Sequence, residues 1–176
     1  SFTSPRSRIP LRKDRLTILA FQGLREGSGA TFVSASVAWH LSRFRSSVMA
    51  VATQGSADGF ARIFNFYSKN ANASSFWQYC SHLTLFCPQN STSKITAERF
   101  ETFLSSAVDQ GISDIVVDLD RHSAEAQLWR KRADTLVTVC VPDEHTLIKL
   151  ETYAPQDNEI FVVNKALKFS KSCALV

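Results

Sequence analysis

Three parts of this sequence have the residue types to hold a phosphate chain: the loop Gly23-Leu-Arg-Glu-Gly-Ser-Gly-Ala-Thr31, Asp118 and Asn164. Gly27 and Gly29, with Ser28 between them, let backbone N–H groups approach an anion closely. Thr31 places a hydroxyl where a magnesium shell takes one, and Arg25 adds a positive charge within the loop or across a dimer. Asp118 can complete the shell of that cation or orient water toward a γ-phosphate. Asp120 is the second choice for that role and reads better as a helix cap. Asn164 offers a donor and an acceptor to a purine edge, although an asparagine ending a strand is also a common turn residue.

These residues gain meaning from the elements that must carry them. Leu16-Thr-Ile-Leu-Ala-Phe21 is a nearly continuous apolar run, as expected of a strand buried on both faces of a parallel sheet. After the loop, Phe32, Ala35, Val37, Ala38, Trp39, Leu41 and Phe44 recur near helical spacing and predict that the loop opens a helix. A strand, a tight loop and a helix N-terminus together aim N–H groups and the positive helix end at one point.

The alternation continues downstream. Ser47–Val51 predicts a second strand, 60–67 a helix, Leu83–Cys87 a third strand, and Thr96–Asp109 a helix with Phe100, Phe103, Leu104 and Val108 on one face. Ile115–Asp120 predicts a strand that delivers Asp118 to its C-terminal end, where α/β proteins bind ligands. A helix around 125–132 and strands at Leu136–Val141 and Ile160–Asn164 complete the series. The expected fold class is α/β, a mostly parallel sheet flanked by helices. Phe64-Asn-Phe-Tyr67 is the expected exposed aromatic cluster.

One residue is missing from the phosphate loop. The pattern G-x-x-x-x-G-K-[ST] requires lysine before the hydroxyl residue, and here Ala30 stands in its place. The point charge on the β- and γ-phosphates is lost, and Glu26 adds a negative one. Two like charges ~5 Å apart at an effective dielectric near 20 repel by roughly 3 kcal/mol. Efficient phosphoryl transfer rests on positioned charge, so slow turnover or none is expected.

A chain of 176 residues, 44% hydrophobic and 20% charged, can bury one sizeable core. The net charge of +4 is concentrated near the start, at Arg6, Arg8, Arg12, Lys13 and Arg15, so 1–15 reads as a flexible basic arm and 16–176 as the folded domain. No run of basic and aromatic residues argues for nucleic acid. The apolar runs fall short of the ~20 residues that cross a bilayer, and no leader pattern opens the chain, which predicts a cytosolic protein. Cys80, Cys87, Cys140 and Cys173 have neither zinc spacing nor a disulfide framework, and His40, His82, His122 and His145 accompany no nucleophile motif.

Over nearly its whole length the chain resembles the MinD/ParA family of deviant-Walker P-loop ATPases. The family's K-G-G-x-G-K-[ST]-[ST] stands here as Arg25-Glu-Gly-Ser-Gly-Ala-Thr-Phe32, its D-P-Q-G as Ala52-Thr-Gln-Gly55, and its D-x-P as Asp118-Leu-Asp120. The resemblance implies a dimer that sandwiches ATP or ADP with magnesium. Arg25 would reach the partner's nucleotide, Gly27, Ser28, Gly29 and Thr31 would hold phosphate, Thr31 and Asp118 the metal, and Asn164 the adenine. Leu19–Thr31 and Ala38-Trp-His-Leu41 are most similar to the cellulose-biosynthesis branch (BcsQ, YhjQ type), with the pilus-localisation branch (TadZ/CpaE type) as a rival. That branch implies a homodimer or heterodimer working with other cellulose-secretion subunits, peripheral to the bacterial inner membrane. The loss of Ala52's and Ala30's counterparts implies a degenerate site, used for partner binding more than for catalysis. A nucleotide-free scaffold is the third expectation.

Overall fold

The computed structural model describes residues 15–45, 47–53, 56–65, 76–87 and 96–164. In chain order the elements are β1 (Thr17–Gly23), α1 (Ala30–Ser42), β2 (Val48–Ala52), α2 (Ala57–Ile63), β3 (Phe76–Cys80), β4 (Leu83–Phe86), α3 (Ala97–Asp109), β5 (Asp114–Leu119), α4 (Ala126–Arg132), β6 (Thr135–Cys140), α5 (Glu144–Glu151) and β7 (Glu159–Val163). The strands form one sheet in the order β3-β4-β2-β5-β1-β6-β7. All neighbours pair in parallel except β3 with β4. The expected α/β class, a mostly parallel sheet between helices, is therefore observed.

Burial explains the run-like sequences of the central strands. Every residue of β2 and β5 is buried, because helices cover both faces. One core, under α1 and α2, contains Phe21, Ala50, Leu85, Val116 and Val139. The other, under α3 and α4, contains Ile18, Met49, Ile115, Phe100 and Trp129. Phe60 of α2 is fully buried and begins a chain of rings through Phe64 to Tyr79, with centroids 5.0 and 5.2 Å apart.

The helix expected after the loop is present, and it is seated on the sheet by its small residues. Its buried residues are Ala30, Ser34, Ala35, Ala38 and Ser42, whereas Phe32, Trp39 and Phe44 are exposed. The reason is close approach: α1 lies across β1, β2, β4, β5 and β6, and only a stripe of small side chains lets a helix sit that near the sheet. Phe64 is likewise buried, at 5% exposure, which removes it from the expected exposed cluster; residues 66 and 67 lie outside the described residues. The helix there starts earlier than expected, at Ala57, and Val108 of α3 faces solvent while Ala107 is buried.

Helix α3 is capped by Thr96, whose hydroxyl accepts the N–H of Arg99 at 3.3 Å. Thr96→Ala should cost about 1 kcal/mol, read as a lower urea midpoint with an unchanged slope. An unshifted midpoint would show that water caps this helix equally well. The basic arm through residue 14 lies outside the described residues; Arg15 is described and pairs with Asp134 at 2.6 Å.

Candidate functional site

Parallel pairing sends β1, β2, β5, β6 and β7 to the same edge, and the candidate residues follow from those ends. Ala52 and Phe21 both register with Asp118, so the loop, the β2 exit and the acid converge.

The loop keeps the shape of a phosphate cradle. Gly27 and Gly29 have φ of 72° and 85°, the left-handed region that such a tight loop needs and that glycine adopts freely. Leu24 N–H donates to Val139 O at 3.0 Å and Ser28 N–H to Arg25 O at 3.3 Å, which closes the turn. Gly29 also caps α1 without any side-chain bond, leaving the first-turn N–H groups to solvent or to an anion.

Asn164 lies directly against this loop. Its Nδ2 donates to Ser28 O at 2.9 Å, and a Cβ at Gly29 would come within 2.2 Å of that nitrogen. The amide nitrogen is thus engaged in holding loop backbone. One of its two N–H donors is used in this way.

Arg25 is turned back into its own chain. Its Nη2 pairs with Asp143, which caps α5, and its Nη1 donates to Glu26 O at 3.2 Å. The N–H of Thr146, and after it Arg25, hold the Asp143 carboxyl below the usual carboxylate range. Glu26 is exposed and its carboxylate is not the partner of Arg25.

Asp118 is the most unusual group in the site. It is 1% exposed, and burial pushes its pKa up to about 6, with Asp120 adding a smaller push in the same direction. The hydroxyls of Thr31, Ser56 and Ser34 pull the other way, yet Oδ2 is buried without a hydrogen-bond partner among the described residues. The backbone beneath it is firmly held. Its carbonyl accepts Thr53 N–H at 3.0 Å, Thr53 Oγ1 at 3.1 Å and Ser56 Oγ at 2.8 Å. Thr53 Oγ1 also accepts Asp120 N–H at 2.6 Å. Beside it, burial and then the charge of Asp118 push the Cys87 thiol to about 12, so it stays protonated.

Asp120 does not cap α4. Its Oδ1 accepts His122 N–H at 3.0 Å and shapes the turn after β5, while Glu125 occupies the cap position of α4 without a side-chain bond to the helix's first N–H groups. Residues 54 and 55 of the segment following β2 lie outside the described residues. Ser34 and Ser56 were not expected at the site. Helical spacing from Thr31 and the polar exit of β2 were the signals that could have found them.

An orphaned buried carboxylate oxygen facing hydroxyls fits a hard divalent cation such as magnesium, with Thr31 and Asp118 as its protein ligands. When bound, such an ion neutralises phosphate charge. The phosphate side fits less completely, because backbone N–H groups remain while Ala30 brings no cation and Arg25 is held by Asp143.

This fold and edge define the architecture of the ParA/MinD P-loop ATPases. A ParA-family ATPase from Chlorobium tepidum superposes with a TM-score of 0.61 at 19% identity, over 85% of this chain and 74% of the other. MinD in the MinC:MinD complex of Aquifex aeolicus gives 0.64 at 14%, over 86% and 69%. A plasmid partition protein of Borrelia burgdorferi bound to AMPPNP gives 0.69 at 11%, over 91% and 78%. At these identities the likeness establishes the fold. No protein-family model matches the sequence, and no curated protein matches it.

Proposed function

We propose that this chain is a MinD/ParA-type subunit with a degenerate nucleotide site, acting through dimerisation and partner binding more than through turnover. The observation that carries this reading is the split in the site: Thr31 and the orphaned Asp118 oxygen keep a place for magnesium, whereas Ala30 removes the cation for the phosphates. In the finer reading it assists a bacterial cellulose synthesis and secretion machine from the cytoplasmic side of the inner membrane. The support for that context is the similarity of Leu19–Thr31 to the cellulose-biosynthesis branch. Membrane association would come through partners; no helix among the described residues is long and apolar enough to cross a bilayer.

A slow ATPase is the second reading, of use for localising a secretion or pilus machine. It is favoured by the Asp118 pKa near 6, a perturbation typical of working groups.

The test is calorimetric titration of ATP and ADP with magnesium into the wild type and Thr31→Ala. Magnesium-dependent binding that weakens about tenfold in the variant is expected. Absence of both heat and thermal shift at millimolar nucleotide would sink the proposal and leave a nucleotide-free scaffold.

A further inference from the structure

A cavity of about 480 Å³ opens on the α4 side of the sheet, bordered by the end of β1, the turn after β5, α4 and α5. Three cations line it, Arg121, Arg130 and Lys149, together with Gln22, His122 and Tyr153, and no aspartate or glutamate does. The cavity shares only Gly23 and Leu24 with the Gly-rich loop, and its cations come from outside that loop.

The cations are arranged, not scattered. Arg130 Nε donates to Gln22 Oε1 at 2.8 Å, and Gln22 Nε2 is in turn held by Thr138 Oγ1 at 2.9 Å and Tyr153 OH at 3.0 Å. Arg121 Nη1 and Lys149 Nζ both donate to one neutral acceptor, the carbonyl of Leu24, at 2.7 and 3.4 Å. Two positive groups converging on a single carbonyl repel each other and lack a countercharge in the cavity wall. The nearest carboxylate in the network, Glu159, is already engaged by Tyr153 OH at 2.7 Å, Gln156 N–H at 3.0 Å and Thr138. It also lies 3.5 Å from Gln22 Nε2, so it buttresses the wall that fixes Arg130.

We propose that this cavity binds a small phosphorylated ligand carrying at least two phosphate groups. Two guanidinium forks and an ammonium match a polyanion better than a single carboxylate, because each fork can take two oxygens at once. The volume is within the range of small-molecule sites and exceeds the need of a lone phosphate. Leu24 is the second residue of the Gly-rich loop. A ligand that draws Arg121 and Lys149 away from its carbonyl changes what holds the start of the loop, so occupancy of the cavity is transmitted to the site on the other side of β1.

The test titrates the full chain with inorganic pyrophosphate, and separately with ADP, by calorimetry. The proteins are the wild type, Thr31→Ala and the double variant Arg130→Gln/Lys149→Gln, with thermal melts confirming folding. Pyrophosphate binding should survive in Thr31→Ala and weaken roughly tenfold or more in the double variant. If the double variant does not fold, Lys149→Gln alone, an exposed position, should show a smaller loss of the same sign. ADP binding no tighter than pyrophosphate would identify the phosphate chain itself as what the cavity reads; tighter ADP binding lost with the same cations would identify a nucleotide. Silence of the wild type at millimolar pyrophosphate, or a loss in the double variant no larger than in Thr31→Ala, would overturn the proposal.

Discussion

Asp118→Asn should make the ligand-free protein more stable at pH 7.5, by about 3 kcal/mol or roughly 5–10 °C in Tm. The folded carboxyl has a pKa of about 6 against an ordinary value of 3.8. Between those values the native state retains a proton that the unfolded chain has released. Stability therefore falls as pH rises through that window and the full cost is present above it. Asparagine imitates the protonated acid in size and never ionises. Melts from pH 4 to 8 should show the wild type losing stability through the window and the variant holding level across it. The same substitution should abolish any stabilisation by magnesium with nucleotide, because it removes the charge that such a cation would meet. Equal melting curves for the two proteins at pH 7.5 would show that the buried charge is already compensated.

Ala30→Lys should raise ATP affinity about a hundredfold. An ammonium ~4 Å from a phosphate oxygen at an effective dielectric near 20 is worth roughly 4 kcal/mol, of which ordering the side chain takes back one or two. Ala30 opens α1 directly after the left-handed Gly29, so the restored side chain starts beside the loop backbone that would carry the phosphates. Titration of ATP with magnesium into both proteins at two salt concentrations measures the gain and its screening. An affinity unchanged by the lysine would mean that the Asn164-braced loop, and not the missing cation, limits binding.

Much of this was legible because buried parallel strands write themselves as apolar runs. Leu16–Phe21 and Ile115–Asp120 stood out, and the pairing of the strands they form brings the loop and Asp118 together. Strand β3 did not stand out. It is an antiparallel edge strand in which Phe76 and Tyr79 are exposed and no alternation develops. Helix α5 was hidden for a related reason: Leu147, Ile148 and Leu150 face outward and only Thr146 is buried, so the apolar stripe that marks a helix is reversed. The Asp143 cap was its remaining signal. The cis pairing of Arg25 with Asp143 and the bond of Asn164 to Ser28 were beyond reach, since both join residues more than a hundred positions apart that only the strand order makes neighbours. Arg121, Arg130 and Lys149 lie closer in sequence but come from three separate segments, and only the fold brings them to one cavity.

The small-residue stripe of α1 makes the helix a rigid ruler for the loop. Thirteen residues at ~1.5 Å each give it a length of roughly 20 Å, seated flat on the sheet through Ala35, Ala38 and Ser42. A larger side chain at Ala38, about two turns from the loop, cannot be absorbed locally and would tilt the whole rod, carrying Gly29 and Thr31 with it. The region in which mutations retune ligand geometry is therefore a line running the length of this helix, and distance from the loop is a poor guide to which positions are neutral.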